Sequence, residues 1–208
     1  MLSSQSLVFS YPGGQAFHFP DISCEKGQSL LILGESGKGK TTFLHVLAGL
    51  LPPQSGEVRV GETNLYSLKP SVLDTFRGRN IGMIFQRAHF ISALSVRDNL
   101  IMAQYLAKKP QDRHSAEAVL ERLGLAQKFT AKPYRLSQGE QQRAAIARAL
   151  MNQPKVILAD EPTSALDDRN CSQVIGLLEE QAANVGAALV IVTHDARLKD
   201  RFHNQIVL

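Results

Sequence analysis

At 208 residues, the chain has room for one sizeable domain, or for one domain carrying an inserted lobe. Its 44% hydrophobic and 20% charged content is ordinary for a globular protein, and its formal charge of +4 is spread without a dense Lys/Arg run. Scattered charge of this kind is ordinarily a solvated surface rather than a footprint for nucleic acid or an anionic membrane. Cys24 and Cys171 are the only cysteines and lack metal-ligand spacing, as do the six histidines, so a reduced compartment without a structural zinc is expected. The longest apolar runs, such as Ala187–Val192, are too short to cross a bilayer, and Met1 opens no leader pattern. The expectation is a cytoplasmic protein whose membrane-spanning partner, if any, is another chain.

In chain order, Leu7-Val8-Phe9 marks a strand within Leu2–Ser10. Tyr11-Pro12-Gly13-Gly14 breaks it, and Ala16–Phe19 returns as a hairpin partner. Tyr11 leaves the strand on the same side as Phe9. Its ring either stacks on a base or closes the strand as a hydrophobic end. Ser29–Leu33 is a short buried strand. After it, Phe43, Leu44, Leu47 and Leu50 fall at helical spacing until Gly49 and Pro52-Pro53 stop the helix. A strand is expected over Gly56–Gly61, a weak helix over Leu68–Phe76, and a strand over Asn80–Phe85 that ends at Gln86. From Arg87 to about Met151 no strand pattern appears. Val96–Ala107, Ser115–Leu123 and Gln138–Met151 read as helices. The core resumes with a strand at Lys155–Ala159, a helix at Asn170–Ala182, a strand at Ala187–Thr193, a short helix at Ala196–Arg201 and a strand at Gln205–Leu208. The predicted class is α/β: a mostly parallel sheet covered on both faces, an antiparallel β part near the N-terminus, and a helical lobe at 87–151 inserted between core segments 1–86 and 152–208.

Three stretches carry chemistry. Gly34-Glu35-Ser36-Gly37-Lys38-Gly39-Lys40-Thr41-Thr42 fits the phosphate-binding loop pattern and joins a strand to a helix, as that motif requires. Glycines let successive N–H groups turn inward around an anion, and the helix adds its positive end. Lys40 is placed to reach the β- and γ-phosphates of a nucleotide and Thr41 to ligate Mg²⁺. Asp160-Glu161 closes the Lys155–Ala159 strand on the rim where ligands sit in an open α/β sheet. Asp160 suits Mg²⁺, and Glu161 suits a water in line with the γ-phosphate. Ser137 and Glu140 form an S-x-x-E capping box that starts a helix, and the Ser137 hydroxyl, the Gly139 N–H and the helix dipole are all able to face an anion.

Together these stretches resemble the ATP-binding cassette (ABC) ATPases over the whole chain. The family's LSGGQ signature stands here as Leu136-Ser137-Gln138-Gly139-Glu140, with Gln138 for the first glycine and Glu140 for the final glutamine. The resemblance implies further roles. Gln86 stands as the Q-loop glutamine near Mg²⁺ or the attacking water, and His194 as the switch histidine on the γ-phosphate. Tyr11 stands as the aromatic on adenine, and Ser164-Ala165-Leu166-Asp167 as the D-loop. It also implies a dimer, with a second copy or a similar ATPase subunit, in which the 34–42 loop of one subunit and Ser137, Gly139 and Glu140 of the other enclose ATP. Arg79–Gln86 and Leu136–Gln142 resemble the lipoprotein-release and macrolide-export branch, whose members work with a separate integral membrane permease subunit. That implies a position on the inner face of the membrane, with a nucleic-acid partner unlikely. Within Arg87–Leu100, His89, Ser92 and Asp98 depart from the branch. A soluble ABC-type ATPase acting on nucleic acid is the alternative. Lys38, where the family has a small residue, is either a solvated side chain or a cation of the composite site.

Overall fold

The computed structural model describes residues 1–164 and 166–208. Five strands, β1 (Leu2–Phe9), β2 (Phe17–His18), β3 (Ile22–Cys24), β5 (Ser55–Val60) and β6 (Thr63–Asn64), form an antiparallel sheet. β1 is its spine, pairing with β3 and β2 along one edge and with β5 along the other. The second sheet has the order β10-β4-β9-β8-β7, all parallel, from β4 (Ser29–Leu33), β7 (Ile81–Ile84), β8 (Val156–Asp160), β9 (Ala188–Thr193) and β10 (Gln205–Val207). The helices are α1 (Lys40–Leu47), α2 (Pro70–Asn80), α3 (Val96–Leu106), α4 (Arg113–Arg122), α5 (Gln138–Leu150) and α6 (Asp168–Val185).

The central parallel strands β4, β8 and β9 carry continuous apolar runs because both faces are covered, and alternate side chains go to different cores. Leu31, Leu33, Ile157, Ala159, Leu189 and Ile191 pack with α3 to α6. Leu30, Ile32, Val156, Leu158, Val190 and Val192 pack with α1 and the antiparallel sheet. α1 is therefore held between two sheets, with Phe43, Leu44, Val46 and Leu47 fully buried. All of α3, α4 and α5 lie between β7 and β8, and no strand is found there among the described residues.

The expected strands and helices are present, with differences at the weaker signals. β3 and β6 were not expected. Each is two or three residues long, below the length at which alternation is readable. α2 begins and ends later than Leu68–Phe76, because Pro70 supplies a preset first-turn φ and Ile81 turns extended. α6 extends beyond Asn170–Ala182 at both ends, from the Asp167 cap to Gly186 in the left-handed region. Ala196–Leu198 is only a single 3-10 turn, capped by Asp195.

Candidate active site

The 34–42 loop leaves the carboxyl end of β4 and enters α1. Gly37 and Gly39 have φ of 85° and 86°, which lets the chain reverse tightly. A Cβ on Gly39 would also lie 2.8 Å from the Phe17 ring, so the hairpin strand β2 presses on the loop from outside. α3, α4, α5 and α6 are each capped by a side chain, whereas Gly39 offers α1 none. An uncapped first turn keeps its N–H donors for an anion.

Lys40 is buried and donates from Nζ to the carbonyls of Gly34 at 2.8 Å and Glu35 at 2.9 Å. The same Nζ lies 3.6 Å from Glu161 Oε1. Thr41 donates to Asp160 Oδ1 at 3.2 Å. Burial raises the Asp160 carboxyl above its ordinary range, against the lowering effect of the Thr41 bond. Hard oxygens of Thr41 and Asp160 thus stand together beside the loop, a donor set that suits Mg²⁺. The Tyr11 hydroxyl lies 3.2 Å from Thr42 Oγ1, and its half-exposed ring sits edge-on to Phe9 at 4.9 Å between centroids.

Glu161 is the most constrained residue of the rim. Its φ is +46°, a conformation that costs on the order of 1 kcal/mol for a non-glycine residue. The surroundings over-determine it. Its N–H donates to Val192 O at 2.9 Å, and its carboxylate accepts from Thr193 Oγ1 at 2.8 Å and from the His194 N–H at 3.2 Å. His194 Nδ1 is 2.8 Å from Oε1. Facing a carboxylate, Nδ1 carries the proton, which leaves Nε2 outward on a ring that is 57% exposed. Gln86 Nε2 donates to Ser164 Oγ at 3.3 Å, and Ser164 Oγ donates to the Glu161 carbonyl at 3.2 Å. Gln86 is thereby tied to the residues that follow the acid.

Sequence reading missed the clasp behind this rim. Arg197 donates to Asp195 Oδ2 at 2.7 Å and to Asp168 Oδ1 at 2.6 Å, and Thr163 donates to Asp195 at 2.9 Å. The Arg197 bonds hold the Asp195 carboxyl at about 2. The clasp joins the segment after β9 to the segment after β8. Its only sequence trace is an acid directly after His194, with the arginine two residues on. Within Ser164–Asp167, Ala165 lies outside the described residues.

Ser137, Gly139 and Glu140 are not brought to this rim. Among the described residues they share no hydrogen bond or ion pair with residues 34–42. Ser137 Oγ accepts from the Glu140 N–H at 3.3 Å, Glu140 Oε2 accepts from the Ser137 N–H at 2.8 Å, and Lys128 Nζ lies 3.1 Å from Glu140 Oε1. The Ser137 N–H bond, followed by the Lys128 bond, lowers the Glu140 carboxyl below its usual range. A Cβ on Gly139 would meet only the tip of Arg143, at 3.7 Å. Nothing inside the chain requires glycine there. A cavity of about 490 Å³, lined among others by Gln86, Tyr134, Gln138, Gln141, Glu161 and Ser164, lies between Glu161 and the first turns of α5. Lys38 borders a separate groove of about 450 Å³ with Glu35, His194 and Lys199.

A family model described as "ABC transporter" matches residues 18–164. The chain belongs to the ABC transporter family. It is 41% identical to the lipoprotein-releasing system ATP-binding protein LolD of Shewanella denitrificans over 194 residues, covering 92% of this chain and 83% of that protein. It is 37% identical to LolD of Legionella pneumophila (strain Lens), covering 100% and 94%. A dimeric ATP-binding cassette, MJ0796, in a post-hydrolysis state bound to ADP and Pi, superposes with a TM-score of 0.89 at 30% identity, covering 100% of this chain and 94% of that one. The cassette cbiO1 of Clostridium perfringens gives 0.86 at 29%, covering 99% and 83%. Within the family, the chain is an ATPase subunit of the lipoprotein-release branch. The comparisons support the transport reading and not the nucleic-acid one.

Proposed function

We propose that this ATPase drives lipoprotein release through a separate integral membrane subunit, working on the inner face of the membrane as a dimer that encloses two ATP molecules. The observation that carries the catalytic part is the shared contact of Glu161 with Lys40, His194 and Thr193 at the mouth of the phosphate-binding loop. The loop N–H groups and Lys40 bind the β- and γ-phosphates, and Tyr11 faces the adenine. Lys40 holds one Glu161 oxygen and His194 Nδ1–H the same one, so the carboxylate is oriented before a water arrives. Glu161 then accepts that water's proton, and His194 meets the γ-phosphate. Thr41 and Asp160, with Gln86, would hold Mg²⁺, which supplies neutralisation of phosphate charge. The helical segment 87–151 acts as a subdomain presenting Ser137, Gly139 and Glu140 to the partner subunit's nucleotide. Support for the dimer comes from the unbonded N–H groups of Gln138 and Gly139 at the start of α5 and from the dimeric cassette with the same fold. Support for the membrane partner comes from the lipoprotein-releasing relatives, since no helix of the described residues is long and apolar enough to cross a membrane.

The test is affinity purification of the tagged chain from detergent-solubilised membranes, followed by phosphate release with MgATP. The expected result is a co-purifying integral membrane protein whose presence changes the ATPase rate. Retention of nucleic acid with no membrane protein would overturn the proposal.

A further inference from the structure

Glu140 stands where the family's signature carries a glutamine, and this poses an electrostatic problem for the proposed composite site. The first turn of α5 offers an incoming phosphate the N–H groups of Gln138 and Gly139, to which no hydrogen bond is found among the described residues. A helix end carries only roughly half an elementary positive charge. A full carboxylate beside it reverses the sign of the local field. The chain holds that carboxylate at both oxygens. Oε2 accepts from the Ser137 N–H at 2.8 Å, and Oε1 is 3.1 Å from Lys128 Nζ. Lys128 comes from a different element, the 3-10 turn Ala126–Lys128, whose backbone is fixed by bonds from the Lys128 N–H to Leu125 O at 2.9 Å and from the Ala131 N–H to Lys128 O at 3.1 Å. Its cation therefore arrives from a defined direction and returns the helix end to net positive charge.

We propose that Lys128 is a positioning residue of the signature half of the nucleotide site: by pairing with Glu140, it lets a helix that begins with a carboxylate receive the triphosphate of a second copy of this chain. The inference rests on the composite-site reading and deepens it. Arg143, whose guanidinium borders Gly139, is a further cation at this end, so loss of Lys128 weakens nucleotide capture without abolishing it. An ordinary exposed ion pair would contribute marginally to folding and nothing to nucleotide capture.

The experiment follows ATP-driven dimerisation by sedimentation, titrating MgATP into the chain carrying Glu161→Gln to suppress turnover. Adding Lys128→Ala is expected to raise the half-maximal ATP concentration about five-fold, an effect that shrinks at high salt. Lys128→Arg, which keeps the charge, should stay within about two-fold of the parent. Glu140→Gln, which removes the carboxylate, should lower the half-maximal ATP concentration. In that background, Lys128→Ala should change the midpoint by less than about two-fold, because there is no carboxylate left to neutralise. Thermal midpoints of all the variants should be close, which separates capture from folding. If Lys128→Ala leaves the ATP midpoint unchanged, or shifts it equally with and without Glu140, the assignment is wrong. If the parent itself does not dimerise with MgATP, all variants fail alike, and the composite-site reading falls together with this one.

Discussion

The Lys40–Glu161 rim and the Ser137–Glu140 turn handle their polar groups in opposite ways. At the rim, Lys40, Asp160 and Glu161 are all buried, and each is bonded within the chain. At the turn, the capping box satisfies Ser137 and Glu140, but the N–H groups of Gln138 and Gly139 have no partner among the described residues, and a Cβ on Gly139 would meet only the tip of Arg143. A burial penalty forces the first set to be assembled before the ligand arrives, since an unpaired buried charge costs several kcal/mol. No such penalty acts on the second set, so its function depends on what approaches from outside.

The largest expected effect breaks the rim at its centre. Glu161→Gln should lower the rate of phosphate release by about 10²–10³-fold while retaining MgATP binding, read by single-turnover hydrolysis and equilibrium binding. A variant that turns over near the parental rate would remove Glu161 from its role. The next test contrasts two glycines. Gly139→Ala should leave thermal stability unchanged or slightly higher, because its φ is ordinary and its surroundings are open, yet should lower ATP-driven activity about tenfold. Gly39→Ala should instead lower the thermal midpoint itself, through its φ of 86° and the Phe17 ring. Equal stability losses at the two positions would erase the distinction between a preassembled rim and an open turn.

A smaller effect tests the cost of preassembly. Burial raises the folded-state pKa of Asp160, so the ionised group opposes folding at neutral pH, and its contribution worsens as pH rises through that value. Asp160→Asn keeps an oxygen for Thr41 and should raise the melting temperature of the nucleotide-free protein at pH 7 while lowering Mg²⁺-dependent hydrolysis. At pH 3 the stability gain should vanish, since both states are then protonated. The smallest effect concerns the clasp. Asp195 is held at about 2 in the folded chain, against an unfolded value of about 3.9. Its pairing with Arg197 stabilises the fold fully above about pH 4 and loses that contribution as pH falls towards 2. Arg197 is solvent-accessible, so screening keeps the contribution small. Acid unfolding of Arg197→Ala, followed by circular dichroism, should begin at higher pH than in the parent and merge with it near pH 2.

Long elements with clear periodicity and motifs with fixed spacing were legible in the sequence. The 34–42 loop, the acids ending β8 and the cap of α5 each depend on neighbours within a few residues, so local chemistry is enough to place them. The alternation of strand and helix implied the parallel sheet for the same reason. Other features depend on which distant segments meet. β3 and β6 exist because β1 and β5 offer them edges, and Phe17 presses on Gly39 because β2 pairs with β1.

The sequence by itself determined that a phosphate-binding loop pattern stands at Gly34–Thr42 between a strand and a helix and that Ser137 starts a helix, because backbone chemistry and capping act locally. Only the tertiary structure decided that Lys40, His194 and Thr193 converge on one carboxylate, that Arg197 clasps Asp195 to Asp168, and that Lys128 neutralises Glu140. Apart from the local Arg197–Asp195 bond, these contacts join residues 12 to 121 positions apart, and side-chain electrostatics acts through space rather than along the chain.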